Sequence, residues 1–200
     1  FALYRLNENY RVTELLQDGK PVPFVRTGGF LVAPRLTADS AVLTVRSTAA
    51  LPRAGESFVA DDEAAVTAYW YLHTARLPAT SIVTIQAPAG WSSIGNGDKV
   101  AEAHDARQWS STWRNVIPVC YLTAVAGRYH ETSAESGSVR VSAWLLTPSD
   151  TRAEQICRTT AQAISYFTKA FSPYPYQAYT VVESRIFPPA LEGYSFMFAG

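Results

Sequence analysis

The residues best suited to metal chemistry are His130-Glu131-Thr132-Ser133-Ala134, which begin like the zinc-protease signature His-Glu-x-x-His. That signature needs two histidines one helical turn apart, so that both rings reach one metal ion from the same face. Here the fifth residue is Ala134, and the segment lies in a polar stretch ending at Gly137. A catalytic zinc takes three protein ligands. His73 and His104 stand in separate segments without a neighbouring ligand pattern, so no metal ligand and no catalytic residue is expected in this chain. Cys120 and Cys157 have neither metal nor redox spacing, and both lie among apolar residues, a common setting for a buried thiol.

Other chemistries find little to work with. No Gly-x-Ser-x-Gly elbow is present, and Gly95-x-Gly97 lacks the third glycine and the following helix of a phosphate loop. A Ser/His/Asp triad is defined by geometry, on which spacing is silent. Trp70, Trp91, Trp109, Trp113 and Trp144 could stack on sugars, but indoles scattered through β-structure more often pack the core or its rim.

The elements that must position any site follow from composition and pattern. Lys plus Arg number 17, as do Asp plus Glu, so the formal charge is +0 and nothing draws the chain toward nucleic acid. Hydrophobic residues are 48%, enough for a full core. Eleven Tyr, nine Phe and five Trp against one Met favour strands over a helix bundle. No run reaches the ~18 apolar residues of a membrane span.

Residues 1–147 read as short strands separated by turns. A strand over 11–17 meets Asp18-Gly19, a hairpin turn signal, and returns over 21–26. Strands are expected at 41–46, 67–73 and 81–87, stopping at Pro88, with a loop over 90–97. Over 138–146 Val139, Val141, Ala143 and Leu145 face one side, and Arg140, Ser142 and Trp144 the other. At Pro148 the period changes. Thr151-Arg152-Ala153-Glu154 fits a capping box, and Ala153, Ile156, Cys157, Thr160, Ile164, Phe167 and Phe171 form one apolar helical face over 151–171. That face is expected to be buried. Pro173 and Pro175 stop the helix; strands follow at 178–183 and 194–199, with a loop over 187–195. The fold class is therefore mainly β: a β-sandwich or open-sheet N-terminal domain, 1–147, then one long helix and the first strands of a truncated α/β domain, 148–200.

The tail carries a distinctive series: Phe171-Ser-Pro-Tyr-Pro-Tyr176, then Tyr179-Thr-Val-Val-Glu183, then Phe187-Pro-Pro-Ala-Leu-Glu-Gly-Tyr-Ser195. This resembles the M1 family of zinc aminopeptidases (gluzincins), in which a helix ends in a Pro-Tyr-Pro-Tyr-like turn before a strand and a Gly-Ala-Met-Glu-Asn loop. In Pro189-Ala190-Leu191-Glu192-Gly193 only Ala190 and Glu192 coincide with that pentapeptide, as in a divergent branch. Weaker likeness runs upstream through 81–97 and 117–129, so the resemblance covers most of 65–200.

By resemblance, the α/β unit is thermolysin-like, and zinc and the catalytic groups belong to the full-length protein, downstream of Gly200. This chain would be an inactive fragment supplying the N-terminal domain and the loop that anchors the substrate amino terminus. Its partners would be that peptide terminus and its own downstream catalytic domain. Glu192 is the expected anchor, with Ala190, Leu191 and Gly193 around it. Pro188 and Pro189 would stiffen the approach, Gly193 would relax the backbone, and 194–199 would run as an edge strand. An extended peptide could pair with that edge while the carboxylate holds its ammonium. The alternative is a non-catalytic β-rich binding or scaffold module descended from such peptidases.

Overall fold

The computed structural model describes residues 1–35, 40–67, 69–74, 77–187 and 190–200. In chain order the first strands are β1 (Ala2–Arg5), β2 (Tyr10–Gln17), β3 (Lys20–Pro21), β4 (Val25–Thr27), β5 (Phe30–Ala33), β6 (Leu43–Ala49), β7 (Phe58–Val59) and β8 (Glu63–Val66). Then come β9 (Ala79–Pro88), β10 (Ser92–Gly95), β11 (Asp98–His104), β12 (Gln108–Val119), β13 (Ala124–Gly127), β14 (His130–Ser136) and β15 (Val139–Leu145). The helix α1 (Asp150–Ala170) leads to β16 (Ala178–Glu183), β17 (Ala190–Glu192) and β18 (Phe196–Ala199).

Among the described residues the strands form five open sheets, ordered β1-β5-β4, β3-β2-β6, β10-β13-β8-β7, β11-β12-β9 and β14-β15-β16-β18-β17. The turn at Asp18-Gly19 forms as expected, both residues having positive φ, 50° and 78°, but the return strand expected over 21–26 is cut to the two-residue β3, and Val25–Thr27 pairs with β5 in another sheet. The fifth sheet positions the site. Its β15 and β16 are parallel neighbours joined through α1, the crossover that parallel pairing requires. β16 and β18 are also parallel, whereas β14 and β17 close the two ends by antiparallel pairing.

Each face of that sheet has its own core. Val141, Ala143 and Leu145 pack against Ala153 and Cys157 of α1. On the opposite face Trp144, Val182, Phe196 and Phe198 join Phe58, Ile94, Trp113 and Val125 from the preceding sheets. The alternation expected over 138–146 is therefore present, with apolar partners on both sides.

Several elements differ from the sequence reading. The aromatic run 67–73 is irregular where described: Tyr69 has φ +50°, and only His73 makes a β-bridge, to Arg5. Its rings pack on one another instead of on a pleated sheet, with His73 stacked on Tyr121 at 5.2 Å and edge-on to Tyr69 at 5.5 Å. Part of the loop expected over 90–97 is β10, because Ser92–Gly95 find pairing partners in β13. The helix begins at Asp150 with Ser149 as its N-cap and no side-chain cap bond, so no capping box forms at Thr151. Phe167 and Phe171 lie 54% and 80% exposed, contrary to the expected buried face. The sheet meets the earlier part of that same face, where Ala153 and Cys157 are buried and Ile156 and Ile164 pack beside them, and only its end at Phe167 and Phe171 is left uncovered.

Candidate functional site

Tyr-Thr-Val-Val over β16 is β-branched and aromatic, and it becomes an inner strand with Val182 fully buried. β18 lies beside it, paired on its other flank with β17: Ala190↔Ala199, Leu191↔Phe198, Glu192↔Met197. The expected edge strand over 194–199 is thus an interior strand, since Phe196 and Phe198 are driven into the core. The edge of the sheet is β17 itself, inside the segment read as a loop. Ala190, Leu191 and Glu192 offer one flank of unpaired backbone, the feature an extended ligand can extend.

Glu192 is exposed at the end of that edge. Its cross-strand partner Met197 places it on the sheet face that carries Tyr179, where an open groove of about 520 Å³ runs between the end of α1 and the sheet. Phe167, Phe171, Pro173, Tyr174, Tyr179 and Met197 are among the residues lining it. Burial pushes the Tyr179 phenol up, and the Glu192 carboxylate pushes it further in the same direction. The Glu192 carboxylate therefore lies close enough to act on the Tyr179 hydroxyl.

The turn between β17 and β18 is tight. The Gly193 N–H donates to the Phe196 carbonyl at 2.7 Å, and a Cβ on Gly193 would lie 2.7 Å from that same oxygen. Glycine is required here by space and not by left-handed φ, which corrects the freedom expected of it. The turn is also held from outside: the Gly97 N–H donates to Ser195 Oγ at 2.9 Å, and the Tyr174 hydroxyl to the Tyr194 carbonyl at 3.2 Å. Pro188 and Pro189 lie outside the described residues.

At the other end of β16, Glu183 joins the strand to the helix. It accepts from Arg152 Nη1 at 2.5 Å and from the Leu146 N–H at 2.6 Å. Burial alone would raise its carboxyl; these donors outweigh it and hold the group below the ordinary range.

The remaining candidates stay apart. His130-Glu131 lies on the strand β14, where side chains four apart do not share the helical face that the zinc signature needs. Glu131 is instead paired with Arg140 at 2.8 Å. Among the described residues no group of three or more His, Cys, Asp or Glu could hold a metal ion. Trp91, Trp113 and Trp144 are buried, Trp70 donates to the Leu122 carbonyl, and Trp109 stacks on His104, so no indole platform assembles. Gly97 serves the close approach of Arg114, whose carbonyl would lie 2.2 Å from a Cβ there. The sequence reading missed Glu63, a fully buried carboxylate on β8 that meets the turn after β16. A lone Asp-Asp-Glu run before a short strand carries no signal for it. Among the described residues no helix is long and apolar enough to cross a membrane.

No family model matches the sequence, and no curated protein matches it significantly. Solved structures do. An M1 zinc metallopeptidase mutant from Deinococcus radiodurans superposes with a TM-score of 0.77 at 19% identity, over 98% of this chain and 51% of that one. The same organism's mutant bound to a Tyr-Ser-Ala substrate gives 0.77 at 18%, over 99% and 52%. A two-domain M1 zinc metallopeptidase mutant bound to L-tryptophan gives 0.77 at 19%, over 100% and 52%. The chain spans about half the length of these structures, and over that half its fold is the fold of the M1 zinc metallopeptidases.

Proposed function

We propose that this chain contributes the N-terminal β-rich region (1–147), the start of the catalytic domain (148–200) and the substrate-anchoring strand of a zinc-dependent aminopeptidase-like metallopeptidase. The observation that carries the reading is the position of Glu192: an exposed carboxylate at the end of the edge strand β17, paired with Met197, which lines an open apolar groove. An extended peptide adds to that edge through its backbone, and the Glu192 carboxylate takes the free α-ammonium, which predominates at neutral pH because the amine has a pKa near about 8. Ala190 and Leu191 supply the pairing backbone, and Gly193 closes the turn beside the anchor. Ligands of the structural neighbours, Tyr-Ser-Ala and L-tryptophan, carry free amines of this kind.

An exposed ion pair is worth only about 0–1 kcal/mol, so anchoring gains strength when Glu192 is covered. The apolar surface at the end of α1, with Phe167 and Phe171 exposed, is where the chain's own downstream catalytic domain would dock and exclude water. Zinc belongs to that domain in this reading. The described residues offer no ligand set for it, and what they do is bind and orient. The chain alone is expected to hydrolyse no peptide and to retain no stoichiometric zinc through dialysis.

The test is Glu192→Gln in the complete enzyme. Removing one partner of a covered charge pair costs about 2–5 kcal/mol, so kcat/KM for free-amine substrates should fall about thirtyfold or more. Substrates with a blocked amino terminus should lose much less. Equal loss on both, or none, removes Glu192 from the anchoring role.

A further inference from the structure

Glu63 on β8 is fully buried, at 0% exposed, yet its carboxylate bonds outside its own sheet. The Ser184 hydroxyl donates to Oε2 at 2.8 Å, and the Arg185 N–H donates to Oε1 at 2.9 Å. Neighbouring Asp62 takes Arg185 Nη1 at 2.6 Å. Ser184 Oγ in turn accepts the N–H groups of Ile186 at 3.1 Å and Phe187 at 2.8 Å. The turn 184–187 is therefore fixed from within by one hydroxyl and from outside by two carboxylates of another sheet. Burying a carboxylate is costly, and an apolar side chain would fill the space more cheaply. What the carboxylate adds is a defined geometry for that turn.

The turn is coupled to the edge strand by contacts that do not run along the chain. The Ser184 N–H donates to the Ala199 carbonyl at 2.6 Å. The Phe187 ring packs on Phe198 at 5.4 Å, and Phe58 stacks on Phe198 at 6.4 Å. Phe198 and Met197 are the ladder partners of Leu191 and Glu192. We propose that Glu63 is a positioning residue for β17: it holds the 184–187 turn and, through Phe187 and β18, fixes where the edge strand presents Glu192. The functional consequence rests on the reading of Glu192 as the substrate anchor; the positioning itself does not.

Amide hydrogen exchange separates the two. Glu63→Ala and the milder Ser184→Ala should each speed exchange over 190–199 about tenfold or more, the scale of a lost hydrogen bond to a charged group. Exchange in β15 should stay unchanged. Glu63→Gln should restore part of the protection, because its amide oxygen can still accept from the Arg185 N–H while its NH2 group can donate to a reoriented Ser184 hydroxyl. In the complete enzyme Glu63→Ala should raise KM for free-amine peptides more than it lowers kcat. A uniform rise across 190–199 and β15, or no rise in either, overturns the positioning role. Local loosening with unchanged cleavage upholds it and removes the anchoring role of Glu192 instead.

Discussion

Gly97 and Ser195, 98 residues apart in the chain, meet in the interior: the Gly97 N–H donates to the Ser195 hydroxyl at 2.9 Å. The bond ties the connection after β10 to the turn between β17 and β18. Ser195→Ala leaves a buried donor without its acceptor and should cost about 1–3 kcal/mol. Gly97→Ala should cost more, about 2–5 kcal/mol, because φ is +96° and the added Cβ would sit 2.2 Å from a carbonyl oxygen. Thermal melts of both variants check the order; a Gly97→Ala protein as stable as Ser195→Ala contradicts it.

Glu63 and Glu183 should pull the pH profile of stability in opposite directions. Burial raises the Glu63 carboxyl, so the folded state holds that proton more tightly than the unfolded chain. Its contribution is present below the ordinary glutamate value of about 4.3 and is lost as pH rises through the raised one. Glu183 lies below the ordinary range, so its contribution is present above about 4.3 and is lost as pH falls through the depressed value. Urea titrations at several pH values should show Glu183→Gln flattening the acid limb, and Glu63→Gln removing a decline on the side above pH 4.3.

Phe167→Ala should barely move the melting temperature of this chain, by less than about 0.5 kcal/mol equivalent, because the ring is 54% exposed. Phe196→Ala, at a fully buried position on the other face of the sheet, should cost about 3–5 kcal/mol. If, as proposed, a catalytic domain docks on this face, Phe167→Ala should become clearly destabilising in the longer protein; equal effects in the two would show that nothing docks there.

Cys157 should resist thiol reagents in the native protein. Its sulfur lies against the Thr132 and Val141 carbonyls, and burial raises the thiol, keeping the nucleophilic thiolate scarce. Alkylation followed by peptide mass analysis should label Cys157 only after denaturant is added.

The sequence by itself determined the elements whose signal is local. The period-two alternation of 138–146, the Asp18-Gly19 turn and the β-branched run of β16 each reappear as expected, because pleat and turn geometry act over a few residues. So does the helix, to within a residue of its predicted ends. The tail motif also singled out Glu192 as a candidate, whose role rests on the proposed function. What it left open depends on contacts far apart in the chain. Phe196 and Phe198 alternate as an edge strand would, and only the arrival of Ala190–Glu192 on their outer flank makes them interior. The apolar helical stripe named Phe167 and Phe171 as core, but periodicity ranks residues by hydrophobicity and not by how far along the helix a sheet extends. The sheet covers Ala153, Ile156, Cys157 and Ile164 of that stripe and ends before Phe167 and Phe171. Glu63 had no signal at all, since its role exists only where β8 meets the 184–187 turn. Tertiary packing decided these points because each turns on which surfaces are brought together, and no local pattern encodes a partner 121 residues away.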